Sequence, residues 1–136
     1  EFDAFVMNLK ADGTLKWVKT GGGTASEEAL AVASTTTTGE VVVAGHVSGT
    51  SSNLLSASYS SAGGTDLYFA RYLPSDGTLV AGSGYGSVNG DKVMALAATA
   101  NDAVMATGFL GGNATLGTAG LVVSGTYDAF VTKVFR

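Results

Sequence analysis

One phrase returns three times along these 136 residues. "DAFVMNL" begins at Asp3, "DLYFARYL" at Asp66 and "DAFVTKV" at Asp128, a period of about 62 residues. Other landmarks keep step with it. Gly13 recurs as Gly77 and Glu27 as Asp91, each 64 residues on. Such a period constrains the fold strongly, because each unit buries its apolar face against a copy of itself. Four segments recur in fixed order: the Asp-led phrase; "DGTLKWV" with "DGTLVAG"; "EEALAVAST" with "DKVMALAAT"; and "EVVVAGHV" with "AVMATGFL".

Each segment reads as a strand. In "DAFVMNL", Phe5, Met7 and Leu9 fall on one face, and Ala4, Val6 and Asn8 on the other, a period of two. "ALAVAS" and "VMALAAT" are small and apolar on both faces, which predicts strands packed tightly on both sides. "EVVVAG" is a β-branched run bounded by turn residues. "ADGT" and "SDGT" join strands through Asp-Gly, where Gly13 and Gly77 take positive φ without a Cβ clash. Asp12 and Asp76 read there as turn formers.

Two longer stretches, 47–65 and 110–127, read as loops that vary between copies. Loops of this length are functional or packed by their own side chains. Leu54, Leu55 and Tyr59 in the first, and Leu116, Leu121 and Val122 in the second, are the candidate interaction residues. Asn113 opens an Asn-Ala-Thr sequon, a candidate N-glycosylation site.

Four short strands per unit suggest the blades of a β-propeller, with a β-sandwich as the competing architecture. The ordered motifs "DAFVMNL", "ADGTLKW", "GGG", "EEALAVAS" and "GEVVVAG" resemble the SBBP repeat family, associated with seven-bladed β-propellers. The resemblance covers the whole chain. It departs at the second copy, where Val80 and Ala81 stand in place of the Trp, and in "GEVVVAG", where Val replaces the usual aromatic. It implies a secreted or surface-displayed propeller and brings no catalytic residue with it. It also implies a strand order from the axis outward: "ALAVAS", "EVVVAG", the Asp-led strand, then "DGTLKW". The expectation is therefore an all-β chain of about nine strands supplying roughly two blades. Residues 1–26 would end one blade, 27–90 form a complete blade and 91–136 supply most of another. Trp17, Phe5, Phe69, Phe130, Gly13 and Gly77 are expected to be structural.

Composition narrows the function. Hydrophobic residues make up 46% and charged residues 13%, enough apolar material for a core. The net charge is −4, with 7 Lys and Arg and no basic cluster, which argues against nucleic acid as a partner. No apolar run approaches the ~20 residues of a membrane-spanning helix, so no membrane insertion is expected. The chain begins with Glu1 and no signal peptide, and reads as a processed product or a piece of a longer protein.

Residues able to carry catalytic chemistry are sparse. Cysteine is absent, which removes disulfides, thiolate metal sites and a Cys nucleophile. His46 is the only histidine and stands where the other copy has Phe109, so packing explains it better than ligation. Glu27 and Glu28 are adjacent and in a strand face opposite sides, so they form no acid/base pair by themselves. "GSGYGS" lacks the nucleophile-elbow pattern, and the Gly-rich runs lack the Lys of a phosphate-binding loop. No catalytic, metal or cofactor site is expected.

The expected function is a non-enzymatic extracellular or cell-surface module, structural or adhesive, making protein or glycan contacts. Its immediate partners would be neighbouring blades of the same chain or other copies. The alternatives are a small lectin that completes a propeller by oligomerisation and, lowest, a hydrolase on a propeller scaffold.

Overall fold

Three antiparallel sheets stack along the chain in a computed structural model, which describes residues 2–24, 26–54 and 57–135. The first sheet pairs β1 (Ala4–Leu9) with β2 (Leu15–Gly21). The second runs in sequence order through β3 (Glu27–Ser34), β4 (Val41–Leu54), β5 (Ala57–Tyr72) and β6 (Leu79–Tyr85). The third orders β7 (Lys92–Ala98), β8 (Val104–Leu110) and β11 (Asp128–Phe135), with β8 in the centre. A small hairpin, β9 (Ala114–Leu116) with β10 (Ala119–Leu121), lies between β8 and β11. The chain is thus all-β, and the strand order of the four-stranded sheet is the one that the resemblance implies.

The second sheet is covered on both faces. Toward the first sheet, Tyr68, Ala70 and Tyr72 of β5 and Val43 and Val47 of β4 meet Ala4, Val6 and Trp17. Toward the third, Leu67 and Phe69 of β5 meet Val93, Ala106, Leu110 and Phe130. Alternating side chains of one strand thereby serve two separate cores, which is the period-two rule applied to a sheet with neighbours on either side.

Three expectations need correction. Residues 47–65 are not a free loop: β4 and β5 continue as a long hairpin, with Ser48 opposite Thr65 and Ser51 opposite Tyr59. Residues 110–127 likewise contain β9 and β10, so eleven strands are found among the described residues instead of nine. The "ALAVAS" and "VMALAAT" strands are also not enclosed: Leu30, Val32 and Met94 are exposed.

The exposure of Leu30 and Met94 has a local cause. Ala29 faces Gly45 and Ala31 faces Ala44, which leaves Leu30 as the extra residue of a β-bulge. Met94 occupies the same place between Val93, opposite Gly108, and Ala95, opposite Thr107. A Cβ on Gly45 would stand 1.8 Å from the Glu28 carbonyl oxygen, and one on Gly108 2.0 Å from that of Lys92. The recurring Gly in "VAGH" and "ATGF" therefore lets the neighbouring strand bulge toward it.

The turns follow their sequence. Gly13 and Gly77 have φ of +83° and +71°. Asp12 Oδ1 accepts the Thr14 backbone N–H at 2.9 Å and Asp76 Oδ1 that of Thr78 at 2.8 Å, the Asx geometry of a tight turn. The Thr14 hydroxyl, donating to Asp12 Oδ1 at 2.7 Å, and the two backbone N–H bonds favour the ionised carboxyls and hold both below the usual Asp range.

Candidate functional site

The first junction is built around Trp17. Its indole is buried beside Tyr72, ring centres 6.0 Å apart, and Nε1 donates to the Pro74 carbonyl at 3.2 Å. Asn8 Nδ2 donates to the same oxygen at 3.2 Å. Gly77 comes so close that a Cβ there would lie 2.7 Å from Trp17 Cδ2. The Asp-Gly turn of one repeat is thus seated on the Trp of the repeat before it. Phe69 and Phe130 are buried between the second and third sheets. Phe5, expected among the packing residues, is 59% exposed, because the side of β1 it occupies has no sheet against it among the described residues.

The candidate interaction residues separate. Tyr59 is buried beside Tyr68, and its hydroxyl donates to the Phe69 carbonyl at 2.9 Å. Burial pushes its phenol up to about 12. Leu116 and Leu121 pack against the core between the second and third sheets, whereas Val122 is exposed. The side chains of Leu54 and Leu55 lie outside the described residues. Asn113 is exposed, and its Oδ1 accepts the Val123 N–H at 2.8 Å, pinning the β9–β10 hairpin.

Two polar clusters lie between sheets. In the first, His46 of β4 is buried with Nε2 3.7 Å from Glu28 Oε1. Burial and the charge of Lys92 push the imidazole below its usual value, against the opposing pull of Glu28. The other ring nitrogen, Nδ1, is buried with no hydrogen-bond partner among the described residues.

The second cluster went unrecognised in the sequence. Asp66, at the head of the "DLYF" strand, and Asp91, just before β7, are both buried. Asp91 accepts Ser87 N at 2.6 Å, Ser87 Oγ at 3.1 Å and Gly111 N at 2.8 Å. Asp66 Oδ2 accepts the Ala62 N–H, and Oδ1 lies where a Cβ on Gly86 would be, at 2.0 Å. The signal is present in the repeat: Asp3, Gly22 and Glu27 have nearly the spacing of Asp66, Gly86 and Asp91. A Cβ on Gly22 would likewise meet Asp3 Oδ1, at 2.1 Å.

No protein-family model matches this chain, and no curated protein matches it. Among the described residues no group of three or more His, Asp and Glu side chains converges as a metal cage. No described helix is long and apolar enough to cross a membrane. Two open grooves at the surface carry apolar side chains. An open groove between β1 and β3 is lined by Phe5, Met7, Leu30 and Val32. A second runs beside β11 along Leu121, Val122, Ala129 and Val131.

Proposed function

We propose that this chain supplies about two blades of an extracellular β-propeller and acts as a non-enzymatic structural or adhesive module. Its outer faces would be covered by further blades, from the same protein or from other copies. The reading rests on the exposure of equivalent side chains along the stack. Two residues after each repeat's Asp stand Phe5, Tyr68 and Phe130, which are 59%, 0% and 7% exposed. One residue further on stand Val6, Phe69 and Val131, at 7%, 0% and 72%. The same strand is apolar on both faces in every copy, yet only the middle copy has both faces covered.

That gradient supports an array in which every sheet takes a neighbour on each side. Full burial of a side chain such as Phe5 or Val131 is worth roughly 1.5–3 kcal/mol, so several such residues on each outer face favour a partner. The resemblance to SBBP repeats favours blades over a sandwich, and the extracellular placement rests on that resemblance alone. Light scattering on the 136-residue chain tests the reading. Concentration-dependent self-association is expected. A cooperative monomer at high concentration would defeat it, and a closed ring of copies with glycan affinity would favour the lectin alternative.

A further inference from the structure

We propose that Asp66 and Asp91 share a single proton, and that this carboxyl–carboxylate bridge clamps the second sheet to the third. Asp66 is only 3% exposed, and its Oδ1 is buried without a hydrogen-bond donor. Such an oxygen is costly as half of a carboxylate and costs little as a hydroxyl that donates. Asp91 is completely buried but takes three hydrogen bonds, from Ser87 N, Ser87 Oγ and Gly111 N. Both Asp91 oxygens already accept from those donors, whereas Asp66 Oδ1 has none, so the shared proton sits on Asp66 and Asp91 accepts it. Among the described residues no Lys, Arg or His forms an ion pair with either carboxyl.

The bridge spans two sheets because of where each member sits. Asp66 belongs to β5, and the Asp91 backbone N–H donates to the carbonyl of Thr65, the chain neighbour of Asp66, at 2.6 Å. The two carboxyls meet adjacent residues, Asp66 Oδ1 at Gly86 and Asp91 Oδ2 on Ser87 N, and Asp91 is also tied through Gly111 N to the end of β8. Gly86 leaves the space for Oδ1. Glu27 shares the row of Val47 and Asp66 two strands away, Tyr85 ends β6 beside Gly86, and Lys92 follows Asp91. Of the ionisable groups, Asp91 is the one that acts on Asp66, by its charge and as a hydrogen-bond acceptor. With desolvation, which is the larger cause, it moves the Asp66 carboxyl above the usual Asp range. The first junction does not repeat the device, since Asp3 is exposed.

The sign of the pH effect follows. A folded-state value above the unfolded one means that the fold holds a proton the unfolded chain releases. Stability from this pair is therefore complete below the ordinary carboxyl range near 3.8 and declines as the pH rises through the folded-state value. The decline is about 4 °C in thermal midpoint for each pH unit over which only the unfolded chain is ionised.

The test compares the parent chain with Asp66→Asn, whose amide N–H donates to Asp91 at every pH while its oxygen still accepts from Ala62. The thermal midpoint of the parent should fall relative to the variant as the pH rises from the acid side, and the variant should be the more stable at pH 8. Parallel pH profiles would overturn the proposal. So would a rise of the parent's midpoint, but not the variant's, on adding calcium at pH 8, because the pair would then hold a cation. If the variant does not fold, carboxyl carbon NMR of the parent decides. An Asp66 resonance titrating above the exposed aspartates supports the shared proton, and one titrating with them refutes it.

Discussion

Gly77 rests against the indole of Trp17, close enough that a Cβ would stand 2.7 Å from Cδ2. Gly13, its equivalent one repeat earlier, has a similar positive φ but open space around it. The pair separates two reasons for glycine at one turn position. Gly13→Ala should lose about 1–2 kcal/mol, from the left-handed backbone alone. Gly77→Ala should lose that and a further ~1–3 kcal/mol from overpacking against Trp17. Urea denaturation of the two variants measures the difference, and equal losses would mean that the Trp17 contact yields freely.

Trp17 itself should be among the most sensitive positions. Trp17→Ala is expected to cost roughly 3–5 kcal/mol through the cavity left between the first two sheets. Trp17→Phe keeps much of the volume but loses the bond to the Pro74 carbonyl, and should cost less. The parent's fluorescence should be blue-shifted and poorly quenched. Red-shifted, easily quenched emission would place the ring in solvent and reopen a glycan-stacking role.

Three tyrosines make the chain sensitive to alkali. Burial raises Tyr59 to about 12, and raises Tyr68 and Tyr72 further, chiefly by desolvation. Each holds its proton more tightly in the fold than in the unfolded chain. Stability from all three is intact below about pH 10 and falls as the pH rises above it. Near-ultraviolet absorbance should show these phenols ionising together with loss of structure. Their ionisation in a chain that stays folded would contradict the burial.

His46 acts on the other side of neutrality. Its folded-state value is lowered by burial and by Lys92, so the unfolded chain takes up the proton first. Stability is complete above the ordinary value near 6.5 and is lost as the pH falls through it toward the folded value. His46→Phe, the residue type of the matching position in the third sheet, should fold and remove that loss. An unchanged acid profile would show that the imidazole is solvated in the fold.

The sequence-level legibility of this fold has a clear boundary. The order of the four-stranded sheet is implied only by the resemblance, whereas the repeat predicts the strands and the Asp-Gly turns, because each depends on chemistry within one unit. Tyr59 and Phe5 escape it for a different reason. Tyr59 sits in a stretch of Ser, Ala and Gly that has no strand pattern, and only tertiary contact with Tyr68 draws it into the core. Phe5 carries the same local signal as Phe130, but its burial depends on whether a sheet lies beside it. The Asp66–Asp91 junction was written in the spacing of Asp, Gly and acid, yet Asp66 lies in β5 of the second sheet and Asp91 just before β7 of the third. Only the fold brings them together, with the Asp91 N–H on the Thr65 carbonyl and Asp66 Oδ1 against Gly86.

The uncovered faces lead to the last prediction. Phe5 and Val131 lie at opposite ends of the stack, each exposed at a position whose equivalent in the middle sheet is fully buried. Phe5→Lys and Val131→Lys alter a surface side chain of the single chain, so each should change its unfolding free energy by no more than about 0.5 kcal/mol. Tyr68→Lys and Phe69→Lys, the same positions in the second sheet, should instead prevent folding, because each would bury a charge without a partner. If the outer faces meet other sheets, the Phe5 and Val131 variants should weaken self-association in light scattering while leaving circular dichroism unchanged. Mixing them should restore association through the two unaltered faces, with Val131 of one copy meeting Phe5 of another. Association unaffected by either substitution would place the contact surface elsewhere.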